Sequence, residues 1–501
     1  MEDKLKQLKT ILGEVDDIGR AAAIAGWDQE ANMPPGGVEG RSYILSTLRK
    51  MAHEKRTSPE VADLIAALEP YGKELDPDSN DASLIREFAR QFKRASKVPG
   101  EMVAEKAKLS SMGNQAWREA REASDFSKFQ DVLEQLVDWS KRYAEIYADE
   151  VDHPYDALLQ DYESDLTTAD VRKIFDDIRP KQVELIAKIA EKPEIDSKIL
   201  HQNFEIDKQK AFGREVTTTI GFDWNRGFEG TVTHPFATNL GYGDQRINNR
   251  AYEDFFNPYF FGCVHEMGHG LYEQGVAKEL ARTPLYGGTS LAVHESQSRM
   301  FENLIGRSKP FWTHFYPKLQ GHFPSQLGNV EMEDFYKAIN KVAPSYIRVE
   351  ADEATYNLHI MLRLELEIDL IEGKVDVKDL PEAWNARFEE YLGIVPPNDA
   401  EGVLQDVHWS MGLYGYFSTY ALGNLVSVQL WEKMLDDMPD MYDKIASADF
   451  KDLLGWLVEK VHKHGSKYQP QDLIKRVTGT KIEGDPYIKY LNEKYSEIYN
   501  L

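Results

Sequence analysis

The run Phe260-Phe261-Gly262-Cys263-Val264-His265-Glu266-Met267-Gly268-His269-Gly270-Leu271-Tyr272 sets two histidines four residues apart in an apolar segment of helical spacing. Side chains four apart stand one above the other on a helix face. His265 and His269 can therefore grip one ion, with Glu266 facing water beside it. Phe260, Phe261, Val264, Leu271 and Tyr272 make the helix apolar on most sides, which predicts burial. Buried imidazoles and a buried carboxylate need partners, and a metal ion supplies them. Any fold for this chain must enclose a polar centre and still leave space next to it.

A hydrolytic metal site takes three protein ligands and keeps one position open. The segment Leu291-Ala292-Val293-His294-Glu295-Ser296-Gln297-Ser298-Arg299-Met300-Phe301-Glu302-Asn303 offers the third. Glu295 follows His269 by 26 residues, enough for a loop through Pro284 and Gly287-Gly288 and a second helix returning beside the first. The expected set is His265, His269 and Glu295, with His294, Glu302 or a more distant acid as rivals.

At 501 residues the chain exceeds the size at which a single core stops growing, so two lobes are expected. A net charge of −25 excludes the Lys/Arg excess that nucleic acid or an anionic membrane requires. Cys263 is the only cysteine, which rules out an intrachain disulfide, and it reads as a small packed hydrophobe. Met1-Glu2-Asp3-Lys4-Leu5-Lys6 lacks the apolar core of a signal peptide and no long apolar run suggests a membrane span, so a cytoplasmic location is expected.

Most of the chain has helical periodicity. Leu5, Leu8, Leu12, Val15 and Ile18 mark a first helix ending near Met33-Pro34-Pro35-Gly36. A second is expected from about Gly40 to His53. Long amphipathic patterns run from Ala82 to about Asp149 with a break at Val98-Pro99-Gly100, and another helix starts near Thr168 and breaks at Arg179-Pro180. Between Gly227 and Asn249 the texture changes. Residues 228–234 and 244–248 alternate around Gly241-Tyr242-Gly243, which predicts a β-hairpin just before the metal helix. An edge strand there could pair with an extended peptide.

Further motifs agree with the first. H-E-M-G-H followed by H-E-S-Q-S-R, His234-Pro235-Phe236, Ile347-Arg348-Val349-Glu350-Ala351-Asp352, and Gly402-Val403-Leu404-Gln405-Asp406-Val407-His408-Trp409 occur in order. With Trp27-Asp28-Gln29-Glu30 and Met33-Pro34-Pro35-Gly36, this pattern resembles the carboxypeptidase Taq family of metallocarboxypeptidases. One element departs: the family's D-x-R-x-T reads Asp244-Gln245-Arg246-Ile247-Asn248, keeping the arginine and replacing the threonine.

The resemblance implies a mainly α, two-lobed peptidase with a deep central groove and a small hairpin or sheet near the metal helix. It would form one peptidase domain over 1–501, with lobes of roughly 1–226 and 227–501. It implies one Zn2+ per chain, with Co2+ or Mn2+ as substitutes, peptide substrates with a free C-terminus, and a homodimer. Glu266 is the expected general acid–base. His408 and Tyr420, with Tyr416 as the alternative phenol, are candidates for stabilising the oxyanion, in a segment similar to the His…Gly-Tyr stretch of helical zinc oligopeptidases. Arg246 and Arg348 fall in the two arginine-bearing elements and are candidates for reading a terminal carboxylate. The reading that competes for Arg348 is an i,i+4 pair with Asp352. His234 is expected to touch substrate or support the metal shell. The activity implied is release of single C-terminal residues, and the alternatives are an oligopeptidase cutting internal bonds or a metal-stabilised peptide-binding protein.

Overall fold

The computed structural model describes residues 1–501, of which 68% are helical around one small three-stranded sheet. Two cores organise it. The smaller gathers Leu5, Leu8 and Leu12 of the first helix, Glu2–Ala31, against Val61 and Leu68 of Pro59–Gly72, Leu84 and Phe88 of Asn80–Lys97, and the returning residues Val276, Leu280 and Leu285. The larger runs from Leu109 to Tyr499 and crosses residues 226 and 227 without a break in packing. The helical hairpin partner Val38–Arg56 buries no residue and packs mainly on the first helix, with Arg56 reaching Gln91 and the Phe88 ring of Asn80–Lys97. No helix is long and apolar enough to cross a membrane.

Helix boundaries follow local chemistry. Thr167 caps Thr168–Ala190 reciprocally with Asp170, a capping box that satisfies two backbone donors. The break expected at Pro180 does not occur: the helix runs through it to Ala190. Phe175, Ile178, Leu185 and Ile186 are buried on both sides of the proline, and this burial outweighs the loss of one backbone hydrogen bond. The break at Val98-Pro99 stands, between Asn80–Lys97 and Gly100–Ala123. A further helix, Ser127–Glu145, follows.

The sheet differs from the expected hairpin. Its strands are β1 (Gly227–Thr231), β2 (Phe236–Asn239) and β3 (Gln245–Asn249), in the order β1-β3-β2. β3 is central. It pairs antiparallel with β2, Phe236 opposite Asn248, and parallel with β1, Gly227 opposite Gln245. The Gly-rich turn therefore joins β2 to β3, with Gly241 and Gly243 at positive φ (132° and 86°). The first expected strand lies on the far side of β3. Pro235, between β1 and β2, cannot donate to a ladder and marks where the chain leaves one edge for the other. β2 was hidden because all four of its residues are half-buried, which erases the alternation.

β3 rests on the metal helix, Asn257–Gly275, which carries Pro258 in its first turn. The Cβ position of Gly270 would lie 3.4 Å from both Gln245 and Ile247, so these face the helix. On its other flank the metal helix crosses Leu291–Arg299, and the crossing point is Gly268. A Cβ there would come within 2.6 Å of the Gln297 carbonyl and Ser298 Cα. Only glycine permits the two backbones to approach this closely. Gly268→Ala is expected to force them apart, at a cost of about 1–3 kcal/mol for overpacking. A fall in the melting temperature of apo and metal-loaded protein alike would show it.

Candidate metal centre and active site

The crossing at Gly268 sets Glu295 against the two histidines. Leu291–Arg299 is fixed at its start by Ser290, whose Oγ accepts from Val293 N–H at 3.2 Å, and by Glu163, whose Oε1 accepts from Ala292 N–H at 2.7 Å. Glu295 thus reaches the metal helix with Oε2 3.6 Å from His265 Nε2 and 3.4 Å from His269 Nε2. The donor atoms of these three residues lie within 4.8 Å of one another.

The opposite edges of both imidazoles are occupied. His265 Nδ1 lies 2.8 Å from Glu302 Oε2. His269 Nδ1 lies 2.6 Å from His294 Nδ1, and His294 Nε2 lies 2.9 Å from Glu273 Oε1. For Nε2 to offer a lone pair, each Nδ1 must carry the proton. His265 then donates to Glu302, His269 to His294, and His294 to Glu273, so one tautomer satisfies the whole chain. His294 and Glu302, the rival ligands, have these atoms engaged with the imidazoles and with Glu273. Asn239 Nδ2 and the Gly288 N–H, 3.3 Å from Oε1, hold Glu273.

These residues fit a divalent ion. Two Nε2 lone pairs and one carboxylate oxygen converge on one point, a donor set suited to zinc and its neighbours. Beside them Glu266 Oε2 is buried with no hydrogen-bond partner. Burial pushes the Glu266 carboxyl up to about 7, in the range of a general base working near neutrality. Burial also acts to raise Glu295, but Arg299 and His265 outweigh it and hold that carboxyl well below its usual range. Glu302 is held down to about 2 in the same way, burial being overcome by Arg299 and His265.

The second half of the site comes from the chain around His408. Glu367, on Glu353–Glu372, accepts from Trp409 Nε1 at 2.8 Å, from the Gly415 N–H at 2.9 Å and from the Tyr155 hydroxyl. Gly415 has φ of 88°, and a Cβ there would lie 2.5 Å from the Leu158 carbonyl, so the turn needs glycine. The turn delivers Tyr416 and then Ser418–Asp437, which presses Gly423 on Glu295, its Cβ position 2.6 Å from that side chain. Tyr420, one turn before Gly423 on the same helix, sets its hydroxyl 3.5 Å from that of Tyr416. His408 packs on Phe417 with ring centres 4.5 Å apart, and burial lowers its imidazole to about 4, which keeps it neutral.

Arg348 joins this cluster. Its guanidinium lies over the Tyr420 ring at 4.9 Å, donates to Asp406 at 2.9 Å through Nη2 and to the Tyr356 hydroxyl at 2.8 Å through Nη1. Asp406 is shared with Arg363 at 2.7 Å. The competing pair with Asp352 does not form, because Asp352 caps the next helix, accepting from Ala354 N–H and Thr355 N–H at 2.9 and 3.0 Å.

The structure does not bring Arg246 or His234 to this cluster. Strand alternation turns Arg246 away from the metal helix. There it pairs with Asp244 at 2.9 Å through both Nε and Nη2 and stacks on Trp27 at 4.1 Å. Asn248, the departure from the family pattern, is fully buried; it accepts from Trp27 Nε1 at 2.9 Å and donates to the Phe236 carbonyl at 2.9 Å. His234 is exposed between β1 and β2. Cys263 is buried next to Tyr259, with its thiol pushed up by burial. Sequence reasoning gave no role to Glu273, Arg299, Tyr356 or Glu367. The spacing of four from Glu295 to Arg299 was the one available signal, since such pairs share a helix face.

Fold and site together define a helical metallopeptidase with a paired His-Glu-His centre, and comparison with known proteins says which. The family profile described as Carboxypeptidase Taq (M32) metallopeptidase matches residues 7–495. Thermostable carboxypeptidase 1 of Thermus thermophilus is 39% identical over 488 residues, 95% of each chain. Carboxypeptidase 1 of Bacillus subtilis is 38% identical over 499 residues, 99% of each. The crystal structure of the M32 carboxypeptidase from Deinococcus radiodurans R1 superposes with a TM-score of 0.97 at 37% identity, covering all of both chains. The chain belongs to the carboxypeptidase Taq (M32) family and is a metal-dependent carboxypeptidase.

The orienting chain behind His269 is open to test. His294→Ala or Glu273→Ala is expected to weaken metal binding about 10–100-fold. Titration of apo protein with a competing chelator measures it, and Glu273→Gln, which retains an acceptor oxygen, is expected to lose less.

Proposed function

We propose that this enzyme releases single residues from the free C-terminus of peptides with one zinc ion held by His265, His269 and Glu295, Co2+ or Mn2+ serving as substitutes. Bound there, the ion supplies a Lewis acid and makes adjacent water more acidic. Glu266 takes the proton from that water and delivers it to the departing amide nitrogen. Its buried and otherwise unpartnered Oε2 is the observation that carries this assignment.

Tyr420, Tyr416 and neutral His408 are the donors for the charge that develops on the carbonyl oxygen. The face of Ser418–Asp437 that touches Glu295 also carries Tyr420, which supports this role. We assign Arg348 to the terminal carboxylate. An arginine has five N–H groups. The bonds to Asp406 and Tyr356 leave one free on each terminal nitrogen of Arg348, a fork that suits a carboxylate. Arg246 and His234, on the outer face of the sheet and in its loop, are assigned to more distant parts of a bound peptide. A lone buried cysteine suits a reducing compartment, in support of a cytoplasmic location, and family membership supports a homodimer.

Two measurements test the proposal. Glu266→Gln is expected to retain the metal and lose at least about 10²–10⁴-fold in kcat. Product analysis on a peptide acid and its C-terminal amide is expected to show stepwise release from the acid only. Equal cleavage of both, or internal cuts, would replace the carboxypeptidase assignment with that of an oligopeptidase.

A further inference from the structure

Glu295 presents two unlike oxygens. Oε2 faces the imidazoles, at 3.6 and 3.4 Å from their Nε2 atoms, and lies 3.0 Å from Ser298 Oγ. Oε1 is turned away and accepts from Arg299 Nε at 2.7 Å. The same guanidinium places Nη1 3.3 Å from Glu302 Oε2, the oxygen that faces His265 Nδ1. It also stacks on the Tyr356 ring at 4.2 Å, and the Tyr356 hydroxyl accepts from Arg348. Directly after Arg299 the chain widens into a π-helical turn, Met300–Ile305, an irregularity frequent at functional sites.

We infer that Arg299 is a positioning residue that makes Glu295 a one-oxygen donor. By occupying Oε1 it leaves Oε2 alone to face the two imidazoles, and by reaching Glu302 it holds His265 in the same frame. This rests on the reading of Glu295 as a ligand. A carboxylate with both oxygens free can close on a cation through both. The second oxygen would then take the position that a hydrolytic centre keeps open for water and substrate. Arg299 guards that position from behind the ligand without touching substrate. Its planar fork suits the task, since two acids are held at once by one rigid group stacked on an aromatic ring. The Tyr356 ring also joins Arg299 to Arg348, so the residue that holds Glu295 and the residue assigned to the substrate carboxylate share one aromatic side chain.

The cobalt-loaded protein reports this directly, because visible absorption of Co2+ weakens as the ion gains donors. Spectra of wild type, Arg299→Met, Arg299→Lys and Glu295→Gln would be compared, with circular dichroism and thermal melts restricting the comparison to folded protein. Arg299→Met is expected to lose intensity and shift as Glu295 closes with both oxygens. Arg299→Lys keeps the charge but not the fork, is expected to move in the same direction, and decides the matter if the methionine variant does not fold. A wild-type spectrum in the folded Arg299 variant overturns the inference. Glu295→Gln separates the two levels. Unchanged cobalt stoichiometry and spectrum there would remove Glu295 from the ligand set, whereas a changed spectrum there beside an unchanged Arg299→Lys would defeat only the role of Arg299.

Discussion

The site depends on one backbone contact, the crossing of Asn257–Gly275 and Leu291–Arg299 at Gly268. A methyl group there would overlap the Gln297 carbonyl and Ser298 Cα. Because it is absent, the helices approach until Glu295 reaches the Nε2 atoms of the two histidines that the metal helix sets on one face. The third contributor, Ser418–Asp437, repeats the device, pressing Gly423 on Glu295 from the other side. Two glycines thus set how far a carboxylate can stray.

Close approach alone would bury charges at great cost. Uncompensated, removal of one partner from a buried ion pair costs about 3–5 kcal/mol. The structure meets this by giving buried charges partners: Arg299 spans Glu295 and Glu302, Asp406 is shared by Arg348 and Arg363, and Glu273 accepts from the His294 imidazole. The Arg299 pairs stay within one helical run, whereas Glu273 and His294 tie the metal helix to Leu291–Arg299 and Asp406 ties the turn of Arg348 to Glu353–Glu372. Glu266 is the exception. Its Oε2 has no partner, and an unsatisfied buried carboxylate oxygen beside a metal-fitting cluster is where proton transfer is most useful.

The same economy appears around His408. Glu367 is enclosed and accepts three donors, which ties the turn at Gly415 to the helix behind it. A site built from loops is here made rigid by one buried acceptor rather than by regular structure. The sheet has a comparable anchor in Asn248, whose amide joins β3 to β2 and to Trp27 on the first helix. A threonine, one atom shorter, carries no amide to span both contacts.

Much of the centre was legible in the residues themselves. Helical spacing put His265 and His269 on one face, apolar flanks announced burial, and the distance to Glu295 allowed a returning helix. These are local properties, set within a turn or two of chain. What local pattern could not reach was decided by packing. Burial on both sides carried a helix through Pro180. The half-burial of Phe236–Asn239 concealed a strand, and β1 therefore joined the sheet parallel rather than as a hairpin arm. Strand alternation sent Arg246 away from the metal helix, while a turn brought Arg348 against Asp406, Tyr356 and Tyr420. Packing set His294 and Glu302 against the far edges of His269 and His265. The chain alone determined which side chains could bind a metal and move a proton, because that is their chemistry. Only the tertiary structure decided which nitrogens and which oxygen converge between the helices, because that depends on what occupies the opposite edge of each group.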